Sequence, residues 1–245
     1  WGFLMSSVSL KPGEYLFTSE SVSEGHPDKL ADRISDSVLD NLLAQDKNSR
    51  VACETFVKTG MVLIGGEIST QGWINFDEVA RQCLREVGYD AETGFDAETI
   101  AVLTNISRQS SDIAQGVDRT SEEDQGAGDQ GIMFGYACNE TPELMPAAIN
   151  FAHRIVKELS RARHQKIVDY LLPDAKSQVT LRYSSTNPSV PQLHTVVVST
   201  QHTKKASSEA GRKELQAFIQ NEVVNRVIPE VYREEHPYII HVNPT

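Results

Sequence analysis

Apolar positions along this chain recur with two different spacings, and the alternation between them predicts its elements. Glu14-Tyr-Leu-Phe-Thr-Ser19 alternates with the period of a strand, whereas Leu30, Ile34, Val38 and Leu42 recur every four residues on one face of a helix. Pro27 falls in that helix's first turn, where its missing N–H costs nothing. Two β-like runs follow, Val51–Lys58 and Met61–Ile68, joined by Thr59-Gly60 as a tight hairpin. Asn75 can cap a second helix with Glu78 three residues on; Phe76, Val79, Ala80, Cys83, Leu84 and Val87 form its apolar face and Gly88 stops it. Ala101–Ile106 reads as the next strand.

This β-α-β-β-α-β order is expected again in the second half. Ile132–Ala137 is strand-like, Pro146–Arg163 is helical, and Gln178–Ser184 and His194–Thr200 read as strands. Ser207–Val227 is a helix stopped by Pro229, and Pro237–Val242 is a last strand. The fold class is therefore α+β, with two sheets that each carry helices, possible products of duplication. The expected boundaries are an N-terminal extension over 1–13, a first domain over 14–112, a loop or linker over 113–125 and a second domain over 126–245. Gln109–Gln125 is polar, aperiodic and long for a connection, which fits a mobile functional loop.

Composition narrows the function classes. A net charge of -11 with no basic stripe argues against nucleic acid as a partner. No apolar run approaches the ~20 residues that span a bilayer, and Trp1-Gly-Phe-Leu-Met5 lacks the features of a signal peptide. Cys53, Cys83 and Cys138 are odd in number and widely spaced, as expected of reduced thiols in a cytoplasmic protein.

Four local patterns could carry chemistry. In Ser23-Glu-Gly-His-Pro-Asp-Lys29 a helix start offers free N–H groups to an anion, and His26 and Lys29 add donors for a phosphate. Asp28 beside a phosphate makes sense with Mg²⁺ between them; otherwise it is a first-turn acid that suits the helix dipole. A two-residue turn sets Glu54 opposite Gly65, so Glu67 is its diagonal neighbour about 7–8 Å away on one face, able to hold a cation or an ammonium unless a bulge at Gly65-Gly66 intervenes. Gly126-Ala-Gly-Asp-Gln-Gly131 satisfies G-x-G-x-x-G but lies in the wrong context for a dinucleotide turn, and holds Asp129 in a close-approach loop. Finally, Asp174-Ala-Lys176 precedes the strand at Gln178, where lysine could neutralise phosphate and aspartate could take a ribose hydroxyl. Solvated acids, a connecting turn and surface ion pairs are the plainer alternatives.

Taken together, Thr18-Ser-Glu-Ser-Val-Ser-Glu-Gly-His-Pro-Asp-Lys29, Val51-Ala-Cys-Glu-Thr55, Lys58-Thr-Gly-Met61, Gly126-Ala-Gly-Asp-Gln-Gly-Ile-Met-Phe-Gly-Tyr136 and Asp174-Ala-Lys-Ser-Gln-Val-Thr180 resemble the methionine adenosyltransferases, or S-adenosylmethionine synthetases. The resemblance runs in register from about Glu14 to Thr245. It implies two of three α+β domains arranged around a pseudo-threefold axis, and an enzyme that joins ATP to L-methionine. Active sites between the subunits of a homodimer, often paired as a tetramer, are implied too. His26 and Lys176 would then contact the triphosphate as catalytic residues, with Lys29, Asp174 and Ala175 completing the ATP contacts. Asp28 would bind Mg²⁺, Glu54 would help hold K⁺, and Glu67, Gln109 and Asp129 would line the methionine region. Gln109-Ser110-Ser111-Asp112-Ile113-Ala114-Gln115-Gly116-Val117-Asp118-Arg119 corresponds to a loop that closes the site.

Departures from the family pattern set a further expectation. Family members continue past Asn243-Pro-Thr245 into a third domain with more Asp, Arg and Lys residues, so a chain ending at Thr245 is expected to turn over poorly, or to serve as a non-catalytic subunit that keeps dimer and partial nucleotide contacts. Leu172 and Cys138 replace residues usual in the family, away from the implied site.

Overall fold

The computed structural model of the chain describes residues 10–108, 126, 131–185, 190–234 and 237–244. Its main elements are β1 (Glu14–Val22), α1 (Pro27–Leu43), β2 (Arg50–Lys58), β3 (Met61–Ser69), α2 (Phe76–Val87), β4 (Ala101–Ser107), α3 (Ala147–His164), β5 (Leu171–Ser184), β6 (Gln192–His202), α4 (Glu209–Phe218) and β7 (Ile239–Val242). They divide into two compact units, one over Glu24–Tyr136 and the other formed by Trp1–Ser23 with Ala137–Thr245. The class is mixed α+β. No helix among the described residues is long and apolar enough to cross a membrane.

In the Glu24–Tyr136 unit the sheet runs β2-β3-β4, with β2 antiparallel and β4 parallel to β3. Leu30 and Ile34 of α1 and Ala80, Cys83, Leu84 and Val87 of α2 bury against Val62 and Ile64 of β3, and Val38 and Leu42 continue the stripe onto Ile68. The four-residue spacing thus delivers one α1 face to one sheet face. Asn75 Oδ1 accepts from Glu78 N at 3.4 Å and Gly88 ends α2 at φ 92°, as the capping residues predict. Arg81 secures the segment after α2: it donates to both Asp77 oxygens and to the carbonyls of Ala97 and Ile100.

The other unit has the sheet order β1-β5-β6-β7, antiparallel except for β6 with β7. α3 lays Phe151, Ala152, Ile155 and Leu159 on Val179, Leu181, Val196 and Val198, and α4 adds Leu215 and Phe218. A π-helical stretch, Ile219–Val224, prolongs α4 and buries Ile219, Val223 and Val224. β1 therefore joins the sheet of the second half, pairing Glu14 with Ser184 and Val22 with Lys176.

Three expectations are corrected here. Ile132–Ala137 form no strand, and Met133 and Phe134 are 95% and 91% exposed: β-prone residues gain nothing without a neighbouring ladder. The helix expected over Ser207–Val227 starts later, because Ser208 is its cap and Lys204–Ser207 form a 3₁₀ turn before it. Asp174-Ala-Lys176 lies inside β5 rather than ahead of it, since β1 extends the ladder to Lys176. All three cysteines are free thiols, and burial pushes the Cys53 thiol up.

Candidate functional site

The start of α1 is built around His26, which is the helix N-cap itself. Its Nδ1 accepts from the Asp28 N–H at 3.2 Å, so the neutral ring carries its proton on Nε2 and presents that N–H as a donor. Asp28 Oδ2 lies 3.7 Å from the same Nδ1, too far for a hydrogen bond, and its side chain is 88% exposed. Pro27, Asp28 and Lys29 are all exposed, while Leu30 is the first residue turned into the core. The preceding Gly25 is buried, and its carbonyl accepts from the Tyr89 hydroxyl. Tyr89 stacks edge-on with Phe95 at 5.1 Å, which anchors this contact in the core.

The hairpin register is the one the two-residue turn requires. Glu54 pairs with Gly65 and Ala52 with Glu67, and the ladder runs unbroken from Arg50–Ser69 to Lys58–Met61, so no bulge separates the two acids. Gly60 turns at φ 84°, and its carbonyl accepts from Ala101 N at 3.0 Å, tying β4 to the hairpin. Glu54 and Glu67 are exposed on the sheet face away from α1 and α2, with Asn105 of β4 beside Gly65 and Ser107 beside Glu67. This face offers carboxylate and amide oxygens, the donors that hard cations and ammonium groups prefer.

In the other unit, Asp174 and Lys176 alternate with buried Pro173 and Ala175, so the two polar side chains share the outer side of β5. The β5–β6 register shifts between Leu171 and Ala175, which places Asp174 in a bulge. Lys176 is exposed and has no ion-pair partner among the described residues.

The structure thus groups His26, Asp28 and Lys29 at one helix start, Glu54 and Glu67 on one sheet face, and Asp174, Ala175 and Lys176 on one strand. Gln109, Asp129 and the Gln109–Arg119 loop lie outside the described residues. Among the described residues no group of three or more His, Cys, Asp and Glu side chains could hold a metal by itself. A Mg²⁺ shell of one carboxylate completed by phosphate oxygens and water is compatible with the exposed Asp28, and a carboxylate oxygen at Glu54 suits K⁺ chemically. Sequence reasoning missed Tyr89 and Ser23. Both act on backbone groups distant in sequence, for which no local pattern exists.

The two units define an α+β protein whose polar candidates sit at a helix start, on an open sheet face and in a strand bulge. Two domain models match the chain: S-adenosylmethionine synthetase, N-terminal domain, over residues 14–111, and S-adenosylmethionine synthetase, central domain, over residues 124–245. The chain belongs to the S-adenosylmethionine synthetase family.

Proposed function

We propose that the chain carries the nucleotide- and methionine-binding parts of a methionine adenosyltransferase, which converts ATP, L-methionine and water to S-adenosylmethionine, phosphate and diphosphate. The observation that carries this reading, beyond family membership, is the α1 start: His26 caps the helix through Nδ1, beside an exposed acid and an exposed lysine. We further assign the shared order of helix, antiparallel hairpin, helix and parallel strand to a duplicated α+β unit, and the partner to a second copy of the chain.

The chemistry needs little beyond alignment and charge. The methionine sulfur is a neutral nucleophile, so its lone pair forms the S–C5′ bond without a general base while the C5′–O bond breaks toward the triphosphate. His26, Lys29 and Lys176 offer N–H donors that stabilise the charge gathering on that leaving group. Glu67, Gln109 and Asp129 suit the methionine end, the two carboxylates its ammonium and the developing sulfonium, and Asp174 suits a ribose hydroxyl. Mg²⁺, held by Asp28, would supply further neutralisation of the phosphates when bound, and Glu54 would help hold K⁺. Water then cleaves the bound triphosphate to diphosphate and phosphate.

Calorimetric titration with ATP tests the reading. Saturable binding that requires Mg²⁺ and weakens in His26→Ala and Lys176→Ala is expected. ATP binding that ignores Mg²⁺ and both substitutions would overturn it.

A further inference from the structure

Ser23 ends the β1 side of one unit, and its side chain is almost fully buried. The β1–β5 ladder reaches Val22 opposite Lys176, so the next antiparallel pair would be Ser23 with Ala175. Half of that pair is made by backbone: Ser23 N donates to Ala175 O at 2.8 Å. The other half is not. Ala175 N donates to Ser23 Oγ at 2.8 Å, and the same hydroxyl donates to Pro173 O at 2.7 Å. One hydroxyl therefore satisfies a donor and an acceptor at the two peptide units that bracket Asp174.

That bracket matters because Asp174 lies where the β5–β6 register shifts. From Leu171 to Ala175 the chain advances four residues against two on β6, Leu171 pairing with His202 and Ala175 with Thr200, so Leu172, Pro173 and Asp174 bulge from the β6 ladder. Pro173 has no N–H to contribute. The Ser23 hydroxyl thus fixes the bulge from the β1 side, and with it the direction in which Asp174 leaves the strand.

We propose that Ser23 is a positioning residue for nucleotide binding, one that fixes Asp174, and through the adjoining Ala175 the exposed Lys176, without touching the ligand. This rests on the nucleotide reading above and adds a residue to it. Removing the hydroxyl leaves two buried backbone groups without their partner and frees the bulge to shift. Small displacements of a group that orients a ligand are costly to binding. The loss should fall on the nucleoside end, which Asp174 serves, more than on the polyphosphate end.

The test uses the full 245-residue chain and two probes with Mg²⁺, ATP and inorganic tripolyphosphate, titrated against the unsubstituted protein, Ser23→Ala, Asp174→Ala and the double variant. Ser23→Ala should weaken ATP about tenfold and tripolyphosphate no more than about twofold, with little further loss when added to Asp174→Ala. Ser23→Thr, which keeps the hydroxyl, should restore part of the ATP affinity. Equal weakening of both probes, or full additivity with Asp174→Ala, would show a merely structural serine and overturn the proposal. An unsubstituted chain that binds neither probe overturns the nucleotide reading and this role with it, whereas normal ATP affinity in Ser23→Ala overturns the positioning role alone.

Discussion

Gly66 is the position at which one methyl group should do most damage to the acidic hairpin. Its φ is 136°, in a region that L-residues rarely adopt, and a Cβ there would stand 2.0 Å from Ala52 O, 3.0 Å from Ala52 C and 3.3 Å from Cys53 Cα. These are backbone atoms of the paired strand and cannot rotate away. Gly66→Ala must therefore push β2 and β3 apart where Cys53 faces Gly66, one register step from both the Glu54–Gly65 and Ala52–Glu67 pairs. A strained backbone conformation costs about 1–3 kcal/mol, and a forced shift of packed backbone about as much again. The sum is a large fraction of the roughly 5–15 kcal/mol that holds a typical domain folded.

Gly65 next door supplies the control. A Cβ there meets only Asn105 O at 3.6 Å, an ordinary contact. Gly65→Ala should change stability by less than about 1 kcal/mol, in either direction. Because two units need not unfold as one, the assay is peptide-resolved hydrogen exchange over Val51–Ile68 alongside a urea titration. Gly66→Ala should exchange far faster than Gly65→Ala in the hairpin. Equal protection in the two variants would refute the reasoning, since it would mean that the strands separate by more than an ångström at no cost.

Asp28→Asn should lower Mg²⁺-supported ATP affinity by at least tenfold while leaving the fold intact, because the amide keeps the shape and loses the charge that a hard cation requires; an unchanged magnesium response in calorimetry argues against the assignment. Arg81→Met should cost about 1–3 kcal/mol by leaving the Ala97 and Ile100 carbonyls without their donors, and Arg81→Lys should fail to restore it because one ammonium cannot reproduce the fork; exchange rates over 97–101 report the outcome. Glu158 is held below the usual carboxylate range by its hydrogen bond from Arg161, against the opposing effect of burial and with help from Arg226. A lowered folded-state pKa adds stability above the unfolded value that is lost as pH falls through the folded one, so the thermal-melting gap between wild type and Glu158→Gln should shrink from about pH 6 to about pH 3. A gap that widens over that range contradicts this sign.

What was legible in the sequence is what repeats or counts. The Leu30, Ile34, Val38 and Leu42 stripe is buried as its spacing predicts, and a two-residue turn fixes the parity of a hairpin, so Glu54 and Glu67 share a face as expected. Strand partnership is not a local property, and that is where the reading stopped. Nothing within Glu14–Val22 says that its ladder lies more than 150 residues away on β5, and nothing within Ile132–Ala137 says that no strand among the described residues accompanies it. His26 was legible as a ligand candidate but not as a cap. Histidine is an unusual capping residue, and only the geometry of Nδ1 against Asp28 N shows that the ring is held in one tautomer.

The residues missed share a cause that can be turned into a rule. A helix that starts at a residue without a capping side chain, or a ladder that reaches a proline, leaves backbone groups that local sequence cannot satisfy, so a side chain from elsewhere must. Pro146 caps α3 with no side-chain bond, and Glu140 reaches Ala147 N at 2.8 Å while its carboxylate also accepts from the Tyr183 hydroxyl at 2.9 Å. Pro173 falls in the β5 bulge, and the Ser23 hydroxyl meets its carbonyl and the Ala175 N–H from the β1 side. Tyr89 does the same for the Gly25 carbonyl just ahead of His26. At Pro146 and Pro173 the interruption is visible in the sequence, and the identity of the residue that answers it is not. Two of the three lie within a few residues of the candidate nucleotide contacts. At Pro173 the missing N–H accompanies the register shift that carries Asp174.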